Sequence, residues 1–142
     1  ECGSGRGARR RGGGRNPNRR RARGRQPSVA TGRNRRLQDS VSIMHAEINC
    51  LYNASRNGVQ SFRGMTMYST LIPCHMCAGA IVQFGITRVV AGESSNFREA
   101  NGLGTLTRHG VEVIDLDMDD AKQLLGRFID AKPEQWNEDI GR

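Results

Sequence analysis

Two short stretches of this chain carry side chains that could do chemistry together. They are His45-Ala46-Glu47 and Pro73-Cys74-His75-Met76-Cys77, with Cys74 standing 29 residues after His45. Imidazole and thiolate are donors that a borderline-soft ion such as zinc accepts readily. Cys74 and Cys77, three apart at the start of a helix, share one face, where thiolates gain from the helix dipole and from free N–H groups. A His opening a second helix completes a set of three. Three protein ligands leave the fourth tetrahedral position to water, the mark of a catalytic rather than a structural zinc. Such water falls in pKa toward ~7 and becomes a hydroxide nucleophile at neutral pH. Glu47, two residues past His45, reaches that water without being a ligand and can shuttle its proton.

Each piece alone has a plainer meaning. A Cys-x-x-Cys is often a redox pair or half of a structural zinc site. His75 is a rival ligand, but the residue right after Cys74 points off the face that the cysteines share, so it reads as an edge residue. Cys50, one turn beyond Glu47, reads as core, and His109 beside Gly110 as loop. Cys2 is assigned no role.

The elements that must hold these residues follow from hydrophobic spacing. Residues 43–56 have apolar side chains near a 3.6 period, which predicts a helix closed by Asn57-Gly58. Residues 65–71 read as a strand stopped by Pro73. Residues 74–84 read as a helix ended by Gly85, 87–91 as a short strand, 92–97 as a loop and 111–116 as an alternating strand. Residues 117–131 predict a helix with acids in its first turn, and 133–140 a short helix with Pro at its start. Strands alternating with helices predict an α/β fold with a partly parallel sheet.

Composition divides the chain. It has 142 residues, 22 Lys+Arg and 14 Asp+Glu, a formal net charge of +8. The first 40 residues hold 13 Arg against two acids, a net of +11, so residues 41–142 are mildly acidic at −3. The length fits one ordinary domain. No apolar run approaches the ~18 residues of a membrane span, which excludes a transmembrane reading. No apolar stretch follows the arginines, which argues against a secretory signal. Residues 1–25 lack Leu, Ile, Val, Phe, Tyr and Trp. The whole tract 1–31 is therefore expected to be disordered, since it cannot bury enough apolar surface to offset its ordering entropy. Three readings of it compete: an RNA-binding tail, an arginine-rich transit segment, and the output of a wrong reading frame or misplaced exon boundary through GC-rich codons, which yields this composition.

In combination the chemical residues are more specific than apart. His-x-Glu followed about thirty residues on by Pro-Cys-x-x-Cys, each at a helix start, is similar to the zinc deaminase pattern. Residues 70–81 resemble the second zinc motif of cytosine deaminases and tRNA adenosine deaminases. Residues 32–38 (Gly-Arg-Asn-Arg-Arg-Leu-Gln) resemble the loop before the first motif in fungal-type cytosine deaminases. Residues 92–97 resemble their loop over the substrate, and 136–141 (Trp-Asn-Glu-Asp-Ile-Gly) the C-terminal helix that closes their pocket. The resemblance covers residues 32–142, taken as a zinc-dependent deaminase domain.

It implies a three-layer α/β/α sandwich of the cytidine deaminase type with a mixed central sheet. It implies Zn2+ held by His45, Cys74 and Cys77, and Glu47 as proton shuttle. It also implies a substrate site in which Asn34 and Asp139 bond the edges of a pyrimidine, Phe97 and Trp136 sandwich it, and Ala46 and Ile72 contribute at the backbone. The expected reaction is hydrolysis of cytosine to uracil and ammonia in pyrimidine salvage, by a cytoplasmic homodimer (the nucleus being a second location), with zinc-bound hydroxide attacking C4. The family's first helix and two strands have no counterpart in the Arg/Gly tract. Their loss is expected to expose a sheet edge and impair this chain. A rival reading is a tRNA or other nucleic-acid deaminase gripping phosphates with the tract, which the −3 charge of the remainder opposes. Another is a non-catalytic RNA-binding protein, which the presence of Glu47 opposes. Nucleic acid is a partner only if the tract is genuine.

Overall fold

The computed structural model describes residues 2–4, 28–98 and 101–142. Five strands and six helices follow one another along it: β1 (Cys2–Ser4), β2 (Ser28–Ala30), α1 (Arg36–Asp39), α2 (Ala46–Arg56), β3 (Met65–Leu71), α3 (His75–Gln83), β4 (Arg88–Glu93), α4 (Leu103–Arg108), β5 (Glu112–Asp115), α5 (Asp119–Ala131) and α6 (Pro133–Asp139). The strands form one sheet in the order β2-β1-β3-β4-β5. β3, β4 and β5 run parallel, and β1 is antiparallel to both of its neighbours. The sheet is therefore mixed, as expected.

Apolar side chains lie on both faces of it. The larger core joins Leu51 and Ala54 of α2, Ala78 and Ile81 of α3 and Leu106 of α4 to Met67 and Val89 of the strands. The smaller core holds Ile72, Ala91, Phe97 and Trp136, with Leu125 and Ile129 of α5 packed against it. Helices α2–α4 on one face and α5–α6 on the other give the α/β/α sandwich. No helix among the described residues is long and apolar enough to cross a membrane.

Three findings differ from the sequence reading. The tract 1–31 is not wholly without structure: Cys2–Ser4 and Ser28–Ala30 are strands, while its remaining unlabelled arginine-rich stretch, 5–27, lies outside the described residues. The expectation that two strands are missing is corrected with it. β1 pairs along Met65–Met67, so β3 is not the exposed edge that was foreseen. Poverty in apolar side chains does not prevent this, because a three-residue strand is recruited through backbone hydrogen bonds that any side chain permits. The third difference is α4, unforeseen because Leu-Gly-Thr-Leu-Thr-Arg is a poor helix former. Leu106 is fully buried; that burial contributes about 1.5–3 kcal/mol, more than the ~1 kcal/mol that a helical Gly costs.

Candidate metal centre and substrate cavity

The chemical residues sit where two helices begin. His45 is the N-cap of α2 and Cys74 the N-cap of α3, both with extended backbone, and Cys77 lies in the first turn of α3. β3 ends at Leu71 and delivers Pro73-Cys74 just past its carboxyl end, where parallel sheets usually place their sites. A ligand atom from each of His45, Cys74 and Cys77 lies within 4.8 Å of the others. Cys74 Sγ is 3.6 Å from His45 Nδ1. The ring's other nitrogen, Nε2, is 3.3 Å from Asp139 Oδ1. With the Nε2–H on that carboxylate, the free lone pair stands on Nδ1 and faces the sulfurs.

Electrostatics within the cluster are opposed. The Cys74 thiol is pushed down to about 4, first by a hydrogen bond from Cys77 and further by His45. Cys77 is pushed up by Cys74 and by burial. A divalent cation among the three would offset both sulfurs at once, and a sulfur/imidazole set suits zinc. The residues present thus fit the metal, with one tetrahedral position left for a small molecule.

Glu47 lies beside this cluster with its side chain buried. Ser69 Oγ of β3 donates to Oε1 at 3.1 Å, and the Cys77 thiol to Oε2 at 3.5 Å. Burial pushes its carboxyl up, toward the range in which a group can both take and return a proton. His75 is exposed, as expected of an edge residue, and Cys50 is core at 1% exposure.

A cavity of about 360 Å³ opens over the cluster. This is at the small end of the roughly 300–1,000 Å³ of small-molecule sites. Every residue foreseen for the site lines it except Cys77, which lies beneath. Asn34, in the loop before α1, turns its Nδ2 donor toward Asp139, 3.3 Å from Oδ1 and 3.1 Å from Oδ2. Its Oδ1 accepts from the Arg36 N–H at 3.1 Å, which fixes the amide this way round. Ala46 is the first residue of α2. Ile72 is 2% exposed and its N–H donates to the Glu93 carbonyl at 2.9 Å.

Phe97 and Trp136 do not face each other across a gap. Their centroids are 5.8 Å apart and their planes 78° apart, so they pack edge to face. They build one aromatic corner, and the sandwich expected of them is corrected. Ring orientation is set by what each ring packs on, which motif spacing does not encode.

Other residues that position the site escaped the sequence reading. Asn49 and Asn53, on one face of α2, fasten the loop carrying Asn34: Asn49 Oδ1 accepts from Arg33 N at 3.1 Å, and Asn53 Nδ2 donates to Thr31 O at 2.8 Å. Gly32 lies so close to α2 that a Cβ there would overlap Cys50 N and Ala46 O. Glu93, 1% exposed, accepts from Asn96 N and Nδ2 and so shapes the loop leading to Phe97. Two Asn spaced by four on a helix were the legible signal; a lone buried Glu gave none.

A sulfur/imidazole group that could hold a metal, at two helix starts beneath a small cavity in an α/β/α sandwich, suits the activation of water by a bound metal. The family model for the cytidine and deoxycytidylate deaminase zinc-binding region matches residues 23–93. The cytosine deaminase of Candida albicans is 44% identical over 113 residues, 80% of this chain and 74% of that protein. The tRNA-specific adenosine deaminase of Buchnera aphidicola is 43% identical over 68 residues, 46% of this chain and 44% of that protein. Among solved structures, a guanine deaminase from Nitrosomonas europaea superposes with a TM-score of 0.54 at 25% identity, over 70% of this chain and 64% of that one. The chain belongs to the cytidine and deoxycytidylate deaminase family, and zinc is its metal.

Proposed function

We propose that this protein hydrolyses cytosine to uracil and ammonia, with residues 32–142 as the catalytic domain. The observation that carries this reading is the cavity itself: a buried carboxylic acid beside the metal cluster and, elsewhere in the same small space, an amide donor paired with a carboxylate. The likeness to the Candida albicans enzyme supports the same substrate. When bound by His45, Cys74 and Cys77, the metal supplies Lewis-acid activation of water.

The chain's own residues do the rest. Asn34 Nδ2 donates to the pyrimidine carbonyl, and the Asp139 carboxylate accepts from a ring or exocyclic N–H. Leaving these groups unpaired penalises wrong ligands strongly. Glu47 takes a proton from the attacking water and gives it to ring N3. It then takes the proton of the new C4 hydroxyl and gives it to the amine, which leaves as ammonia as the C4–N bond breaks and the carbonyl forms, while Ser69 holds the carboxylate's other oxygen. The Phe97–Trp136 corner and Ile140 exclude bulk water from the apolar side of the base. A free base as substrate suits a cytoplasmic homodimer in pyrimidine salvage, as the resemblance implies.

Incubating zinc-loaded protein with cytosine, cytidine or tRNA, and following released ammonia and the ultraviolet change, tests the reading. Ammonia from cytosine alone is expected. Turnover of tRNA with cytosine untouched would overturn it.

A further inference from the structure

Arg36 differs in its surroundings from the arginines nearby in the sequence. Its side chain is 7% exposed and reaches beneath α6. Nε lies 2.5 Å from Asp139 Oδ1, an ion pair whose N–H is not aligned for a hydrogen bond. Nη2 donates to the Gln135 carbonyl at 3.4 Å, and Nη1 is 3.8 Å from Glu138 Oε1. Its backbone N–H orients the Asn34 amide. One residue therefore acts on both groups of the polar pair, on Asn34 through the main chain and on Asp139 through the side chain.

The two oxygens of Asp139 are unequal as a result. Oδ1 faces Arg36 Nε, His45 Nε2 and Asn34 Nδ2. Among the described contacts Oδ2 meets only Asn34 Nδ2, at 3.1 Å. A carboxylate has about four lone-pair sites, so Oδ2 keeps room for one more donor.

We propose that Arg36 is a positioning residue: it anchors Asp139 Oδ1, leaving Oδ2 as the acceptor for a substrate N–H, and ties α6 over the cavity. The kinetic half of this rests on the cytosine reading, while the tie to α6 does not. The guanidinium itself is buried, and its charge on the carboxylate gives a stronger attraction than a neutral partner would.

The test compares Arg36→Met, Arg36→Lys and Asp139→Asn, alone and combined, in the zinc-loaded full chain. Arg36→Met is expected to raise KM for cytosine about 10- to 100-fold and to change kcat far less. Arg36→Lys keeps a positive charge and is expected to recover part of that loss. On the Asp139→Asn background, Arg36→Met is expected to add little, because both act through one carboxylate. Trp136, the sole tryptophan, stands on α6 next to Gln135. Its emission is expected to shift to the red in Arg36→Met without any substrate.

Unchanged KM and emission in Arg36→Met would overturn the proposal, as would a full additive effect on the Asp139→Asn background or a folded Arg36→Lys no better than Arg36→Met. Should Arg36→Met fail to fold, Arg36→Lys carries the same cycle, with a raised KM alone and none beyond Asp139→Asn expected. If the unaltered protein leaves cytosine untouched, the functional reading fails while the tryptophan emission still decides whether Arg36 holds α6.

Discussion

In the proposed reaction, Glu47 is what separates a catalytic centre from a metal staple. Its carboxyl is buried, bonded by Ser69 and adjacent to the cluster, yet it is not part of the ligand set. Glu47→Gln keeps shape and removes proton transfer. Turnover of cytosine is expected to fall by at least about 10²- to 10⁴-fold with bound zinc unchanged, read by ammonia release beside metal analysis. The ligands and Glu47 were legible in the sequence because metal coordination demands particular side chains at particular spacings. Arg36 was not. It stands in the run Arg33-Asn34-Arg35-Arg36, and nothing local tells the buried arginine from Arg35, which forms an i,i+4 pair with Asp39 on a partly exposed surface. The difference is tertiary: only Arg36 lies under α6.

At the scale of elements, the site depends on how closely the Asn34 loop sits on α2. Gly32 has no space for a methyl group, with the α2 backbone as the obstacle. Backbone cannot rotate away as a flexible side chain could, so the loop itself must lift. Gly32→Ala is expected to cost about 1–3 kcal/mol of stability, and more in substrate binding than a remote change of equal cost. Denaturant unfolding read beside KM checks both. Most elements were legible because hydrophobic period and punctuating glycines mark them, with ends shifted by a few residues: the foreseen helix 43–56 runs Ala46–Arg56 and the foreseen strand 87–91 runs Arg88–Glu93. The misses are short pieces, α1, α4 and the two N-terminal strands, in which tertiary contacts outweigh local preference.

For the whole molecule, the candidate metal ligands join the starts of two helices that the sequence separates by β3. A metal that binds the folded state and not the unfolded chain stabilises by mass action, about 2.7 kcal/mol at a hundredfold excess over its Kd. Stripping zinc with a chelator is expected to lower the melting temperature by on the order of 10 °C, and re-addition to restore it. Calorimetry of both forms reads this directly, without reference to substrate. The fold class was legible for a different reason: strand and helix patterns alternate along the chain, which an α/β sheet accommodates.

The position of β1 at the heart of the sheet's antiparallel half has a consequence in time. Cys2 pairs with Met67, so β1 waits for about sixty-five more residues of synthesis before its mate in β3 exists. At about 5–20 residues per second that is a delay of roughly 3–13 s. The sheet cannot close in the order in which its strands are synthesised, and the nascent chain must keep β1 available until β3 arrives.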